Sequence, residues 1–249
     1  MLRITELKLP LSALPVDVRR AADAPSETDE DRRPLAQPVE ALTRMAAQAL
    51  GVAVPDIQTL DVFKRSFDAR KADLLAVFIV DVTLAPELEA RLVAQFANHP
   101  HIGATPDMAY TLVRQAHAPL PQRPVVVGFG PCGMFAALLL AQMGLRPLVL
   151  ERGPAVRQRT KDTWDLWRKH TLHPESNVQF GEGGAGTFSD GKLWSQIKDP
   201  RHLGRKVMQE FVAAGAPPEI LVEAHPPHRH LQAGQSGGKP ARAHHRIRR

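Results

Sequence analysis

A chain of 249 residues with 43% hydrophobic content can bury one large or two modest cores, which places it in the globular class and excludes a disordered or fibrous one. Its formal net charge of +6 sits in one place: Arg229, Lys239, Arg242, Arg246, Arg248 and Arg249 follow His225 with no acid among them, and the other 26 of the 32 basic residues are matched by 26 acids. The body is neutral, and nucleic acid is not expected as a partner.

The first stretch, LRITELKL from Leu2 to Leu9, has strand-like composition. Within 21–38 lies AADAPSETDEDRRP, Ala21 to Pro34, whose charge, prolines and scarcity of large apolar residues predict a loop with nothing to bury. Val39 to Leu50 carries apolar residues at helical spacing, closed by Gly51. Two strands follow, Ile57 to Phe67 and Leu74 to Leu84, joined by the polar turn DARKAD; then come a helix from Pro86 to Ala97 and a strand at Met108 to Arg114. The order β-α-β-β-α-β is that of the split βαβ, ferredoxin-like arrangement, so residues 1–117 are expected to form a small α+β domain of that kind. The three prolines of APLPQRP, Ala118 to Pro124, restrict the backbone and remove amide donors, which makes residues 118–124 a linker.

A second domain is expected over 125–224. Val125 to Val127 reads as a short buried strand, Gly128-Phe129-Gly130-Pro131-Cys132-Gly133 as a loop, Met134 to Met143 as an apolar helix ended by Gly144, and Leu148 to Leu150 as a second strand finishing at Glu151. In such a unit Gly128 permits the tight turn, Gly130 lets backbone amides approach a pyrophosphate, and Gly133 lets helix and strand pack closely. The helix N-terminus faces the anion, and Glu151 can accept the hydroxyl protons of a ribose while repelling a 2′-phosphate. The architecture predicted is α/β: an incomplete Rossmann-like FAD-binding domain after the ferredoxin-like one.

Farther along, NVQFGEGGAGTFSDGKLW, Asn177 to Trp194, packs five glycines among Thr187, Ser189, Asp190 and Lys192, as suits backbone lying against a flat or anionic ligand. With both clusters in view, Val125 to Glu223 resembles the bacterial uncharacterised FAD-dependent dehydrogenase family of NAD(P)/FAD-dependent oxidoreductases, whose members share the GxGPxG…LERG loop and the GEGGAGTFSDGKL stretch. VFKRSFDARK, Val62 to Lys71, extends the likeness into the N-terminal portion. The resemblance implies non-covalent FAD, with NAD(P)H as a candidate electron donor. It puts Gly128, Gly130, Gly133 and Glu151 on the ADP half, with Pro131 and Arg152 in the same motifs, and Gly183, Gly184, Thr187 and Ser189 near the pyrophosphate or flavin. The small-molecule substrate and the oligomeric state are not legible.

Beside the flavin, the candidate acid/base residues are His173, Asp190 and Lys192. Arg157, Arg159, Lys161, Arg168, Lys169 and His170 share a helical stretch with Trp164 and Trp167, which predicts a solvated basic face and a tryptophan core stripe. Cys132 is the only cysteine, so an internal disulfide and a multi-thiolate metal site are excluded, no metal is expected, and Cys132 itself reads as packing. No apolar run approaches the roughly 20 residues that span a bilayer, and a cytoplasmic protein without membrane association is expected.

Two features depart from the family pattern. The family chain runs well past this length, and after His225-Pro226 the sequence leaves the pattern. Back-translated with one permitted choice of codons and one C removed, the run from His225 reads HPHIGTFKLVKVVENLRARIIAS, with apolar residues at helical spacing. A single-base insertion is thus the expected origin of Pro227 to Arg249, a disordered basic tail is expected over 225–249, and the chain is expected to hold FAD weakly. A competing expectation is a non-catalytic module binding RNA or a protein through the ferredoxin-like domain, with Phe63, Phe67 and Phe78 as a stacking platform and a basic turn at Arg65, Asp68, Arg70 and Lys71.

Overall fold

A computed structural model describes residues 1–14, 37–70, 73–116, 120–188, 193 and 197–223. Most of the 21–38 loop, residues 117–119 and the 225–249 tail lie outside the described residues. In chain order the elements are β1 (Leu2–Pro10), α1 (Val39–Leu50), β2 (Thr59–Asp68), β3 (Leu75–Thr83), α2 (Pro86–Gln95), β4 (Ile102–Ala104), β5 (Val125–Val127), α3 (Pro131–Gln142), β6 (Leu148–Leu150), α4 (Val156–Lys169) and α5 (Leu203–Ala213). The fold is mixed α/β, with one antiparallel and one small parallel sheet, in two compact units.

The first unit holds an antiparallel sheet of order β2-β3-β1-β4. Strict alternation along β1 from Leu2 would bring Glu6 and Lys8 into the core. A bulge between Ile4 and Leu7, with Glu6 at a φ of +63°, shifts the phase so that Leu2, Ile4, Leu7 and Leu9 are all buried. They meet Ala76, Phe78, Val80 and Val82 of β3, Leu42, Ala46 and Leu50 of α1, and Leu92 of α2 in one cluster. Helix α1 ends where its sequence predicts, with Gly51 at a φ of +67° donating to the carbonyls of Ala47 and Gln48.

The fourth strand corrects the expectation of Met108–Arg114. Instead Ile102–Ala104 pairs with β1, because Ile102, opposite Ile4, supplies the side chain the core takes at that edge. Met108 sets its thioether against the Arg3 guanidinium. Arg3 in turn grips Asp81 through two bonds of 2.8 and 2.7 Å, and Thr105 donates to the same carboxylate.

Residues 197–212 and 217–223, grouped from sequence with the glycine loop in 125–224, lie instead in the first unit. The Arg65 amide donates to the Val222 carbonyl at 2.8 Å, and the buried Arg65 guanidinium pairs with the Glu223 carboxylate. Arg205 lies 5.2 Å from the Phe63 ring, whose centroid is also 3.7 Å from the Arg3 guanidinium carbon.

In the second unit β5 and β6 pair in parallel, joined by α3, with Val126 opposite Val149. The strand at Val125–Val127 is present but is not the buried run expected: Val127 is 82% exposed, and Val125, Leu148 and Leu150 are exposed with it. Val126 lies beneath α3, whereas the alternate residues point to the other side, which no described element of this unit covers. Among the described residues no helix is long and apolar enough to cross a membrane.

Phe78 is fully buried and sits at the centre of the antiparallel sheet. Phe78→Ala is expected to destabilise the first unit by about 3–5 kcal/mol, read as a lowered urea midpoint at an unchanged slope.

Candidate dinucleotide-binding site

Two glycine-rich segments meet in the second unit. In the first, Gly128 takes a φ of +91°, strained for any other residue, and its amide donates to the Leu150 carbonyl at 2.7 Å, tying the loop to β6. At Gly133 the constraint is steric: a Cβ there would lie 2.1 Å from the Gly128 oxygen. Gly130 has neither need. Its φ is −72°, and an added Cβ would meet nothing nearer than the Gly184 Cα at 3.8 Å.

Helix α3 opens with Pro131, which carries no amide proton, so Cys132 and Gly133 provide the first-turn donors at the positive end of the helix dipole. Cys132 is exposed rather than packed. Glu151 accepts the Phe129 amide on one oxygen at 2.7 Å and the Gly153 amide on the other at 2.8 Å, so its carboxylate braces the loop from below. Arg152 is exposed, pairs with Glu175 at 2.8 Å and lies 4.7 Å from the Phe180 ring.

The second segment rests on the mouth of the first. The Gly183 amide donates to the Phe129 carbonyl at 2.9 Å, and the 3-10 turn Gly184–Phe188 begins against Gly130 and Pro131. A Cβ on Gly184 would lie 3.0 Å from the Gly130 Cα, and one on Gly153 would lie 2.5 Å from the Gly181 Cα. Backbone thus touches backbone at both places. Gly128, Gly130, Pro131, Gly133, Glu151, Gly183, Gly184 and Thr187 are brought to one locality, while Ser189, Asp190 and Lys192 lie outside the described residues.

What holds the second segment is Arg159 of α4, a residue the sequence assigned to a solvated face. It is fully buried. Its Nε donates to the Asn177 carbonyl at 2.9 Å, Nη2 to the Val178 carbonyl at 2.7 Å, and Nη1 to the Glu182 carbonyl at 2.7 Å and the Thr187 hydroxyl at 3.2 Å. Burial pushes the guanidinium below its ordinary value, opposed by the Glu151 carboxylate. The Glu182 carboxylate completes the clasp by accepting the Val156 amide at the N-terminus of α4.

Helix α4 is therefore turned opposite to expectation. Its buried residues are Arg159, Asp162 and Thr163, while Trp164 and Trp167, predicted as a core stripe, are 45% and 51% exposed. Inward-facing loop carbonyls need a multiple donor more than they need apolar bulk, and guanidinium supplies five N–H groups in a fixed fork. A sequence signal existed in Arg159, Asp162 and Thr163 at i, i+3 and i+4, a polar stripe on one helix face.

His173 joins a different group. Asp162, buried, accepts the Ser176 hydroxyl and the Gln158 amide, the latter at 2.8 Å, with His173 Nε2 at 4.0 Å. The Ser176 hydroxyl holds the carboxyl below its ordinary 3.8, with burial opposing and Gln158 and His173 assisting. The cluster fastens the 173–176 turn to α4, and His173 is placed there rather than among the glycines.

A family model described as a domain of unknown function (DUF8436) matches residues 1–83. A Clostridium beijerinckii protein described as an uncharacterized protein is 42% identical over 184 residues, which is 74% of this chain and 34% of the relative. The chain therefore spans about a third of the length of the curated relative it matches. A stretch of 184 residues within 249 must include residues 66–184, so the match contains the first glycine loop, Glu151 and the opening of the second cluster.

Arg159→Met would remove the guanidinium donors of three inward carbonyls, leaving the Glu182 carbonyl to the Thr187 hydroxyl. Protease cleavage within 177–188 is expected to accelerate about tenfold or more, with Arg159→Lys, which restores only some bonds, in between. For Asp162 the folded carboxyl is the stronger acid, so its stabilisation is present above the ordinary value of 3.8 and is lost as pH falls through the lower folded value. Asp162→Asn is expected to flatten acid unfolding below about pH 4, as read by tryptophan emission.

Proposed function

We propose that residues 125–188 are the opening part of a Rossmann-like FAD-binding domain, that the antiparallel unit is a ferredoxin-like domain attached to it, and that the protein is a cytoplasmic FAD-dependent oxidoreductase of the dehydrogenase type. The reading rests on the two motifs together with one observation above the rest: Gly130 is a glycine that the chain's own packing and dihedrals do not require. Gly128 and Gly133 are explained by conformation and by contact; Gly130 is explained by neither, and at that place in the motif a bare Cα lets backbone amides approach a pyrophosphate.

The remaining groups suit that role. Two of the Glu151 carboxylate's roughly four lone-pair sites accept amides, which leaves capacity for ribose hydroxyls. First-turn amides of α3 offer donors to a pyrophosphate, and the buried Arg159 cation behind the second cluster adds a fixed positive charge. FAD, when bound, supplies a two-electron acceptor, and NAD(P)H is the candidate donor. The protein's share is position, through Gly130, Glu151 and the clasped 177–188 segment.

The RNA-binding alternative receives less support. Phe78 is in the core, Phe63 lies between Arg3 and Arg205, and Phe67 is exposed, so the three share no open platform. Arg65 is buried against Glu223 and Arg70 is paired with Asp68, while Lys71 lies outside the described residues.

Gly130→Ala is expected to keep the thermal midpoint of the wild-type chain and to weaken FAD binding, while Gly130→Val and Glu151→Ala abolish it. Gly133→Ala, which collides with the Gly128 oxygen, lowers the midpoint itself. Titration with FAD by flavin absorbance and emission, beside thermal unfolding of each variant, reads both effects; undiminished binding in Gly130→Val and Glu151→Ala removes the loop from the cofactor site.

A further inference from the structure

We infer that Trp167, with Phe188 beside it, forms the shelf on which the planar ring system of the bound dinucleotide stacks, the isoalloxazine when that ligand is FAD. This rests on the flavin-binding reading above and adds where the ring goes.

The first ground is exposure. Trp164 and Trp167, one turn apart on α4, are 45% and 51% exposed and meet edge to face with centroids 5.4 Å apart. Two large aromatics left half in water beside the helix face that buries Arg159 mark a surface that serves a contact.

Continuity with the glycine clusters is the second ground, and it selects the occupant. The turn Gly184–Phe188 starts in backbone contact with Gly130 and Pro131 and ends at Phe188, whose ring centroid is 6.2 Å from that of Trp167. Five residues of 3-10 geometry rise about 8 Å. A pyrophosphate held at Gly130 and the α3 N-terminus would thus have its aromatic end, one five-carbon ribityl chain away, delivered to the neighbourhood of Phe188 and Trp167.

Rigidity is the third. The Arg159 guanidinium carbon lies 5.0 Å from the Phe188 ring centroid while its nitrogens are fixed by loop carbonyls, and Arg168 lies 4.5 Å from the Trp164 ring. Phe188 and Trp164, the two rings that meet Trp167 edge to face, are thus each steadied by a cation before any ligand arrives. An electron-rich indole then offers a flat face to an electron-poor ring.

The test titrates the full chain with FAD and with ADP-ribose, which shares the adenosine and both phosphates but lacks the ring and its ribityl chain. FAD is expected to quench tryptophan emission and to lose its own emission on binding, and ADP-ribose to do neither. Trp167→Ala is expected to weaken FAD about tenfold or more and to leave the ADP-ribose Kd unchanged, which also certifies the variant's fold; Trp167→Phe retains most of the FAD affinity. Unchanged FAD affinity in Trp167→Ala, with both ligands bound by the wild type, overturns the shelf and leaves the flavin reading standing. A variant that turns a dimer into a monomer at unchanged FAD affinity overturns it likewise, since the tryptophans would then join two copies. Failure of the wild type to bind either ligand overturns the flavin reading and this inference together.

Discussion

One buried guanidinium organises the second unit. Arg159 satisfies three carbonyls of a loop rich in glycine at once, those of Asn177, Val178 and Glu182. Because a glycine-rich segment loses much conformational freedom on ordering and brings few side chains to pack, its order has to come from hydrogen bonds. Everything nearby follows from that demand. Gly181 must be bare because a Cβ would strike the Arg159 side chain at 2.7 Å, Gly153 must be bare to admit Gly181, and the face of α4 that would have buried tryptophan is taken up by Arg159, Asp162 and Thr163.

Such an inversion is hard to read from a sequence. Hydrophobic periodicity assigns Trp164 and Trp167 to the interior because apolar burial is the dominant favourable term on average, and a lone arginine is assigned to solvent because its burial is costly. Both averages fail where the interior is built of backbone carbonyls. The strand–loop–helix–strand unit was legible for the converse reason. Gly128 and Gly133 answer constraints set within a few residues, one dihedral and one contact, so the local pattern carries the whole message.

Long-range placement divides the same way in the antiparallel unit. The β-α-β-β-α-β order is written in runs of apolar periodicity, and α1 ends at the residue its glycine announces. The edge strand is not written there. Ile102–Ala104 is only three residues long, selected by its register against Leu2 and Ile4, and it takes the edge of β1 that the better alternation of Met108–Arg114 would have needed. The attachment of residues 217–223 along β2 is equally silent, because it depends on a bulge between Val62 and Lys64 that turns Arg65 inward to meet Glu223.

The two halves of the candidate site thus have different origins. The first loop is held by its own geometry and by Glu151, which spends one lone pair of each oxygen on a loop amide. The second is held from outside by α4. Contact between them runs through backbone at Gly130, Gly183 and Gly184 and through the Pro131 ring, with the Gly183 amide donating to the Phe129 carbonyl. In the proposed role, a ligand anion at that seam would accept hydrogen bonds from amides of both halves, adding links to the bond from Gly183 to Phe129. If the proposed ligand binds there, its binding and the ordering of the seam would be one equilibrium, and a substitution that loosens α4 would act on affinity through the second cluster without touching the ligand.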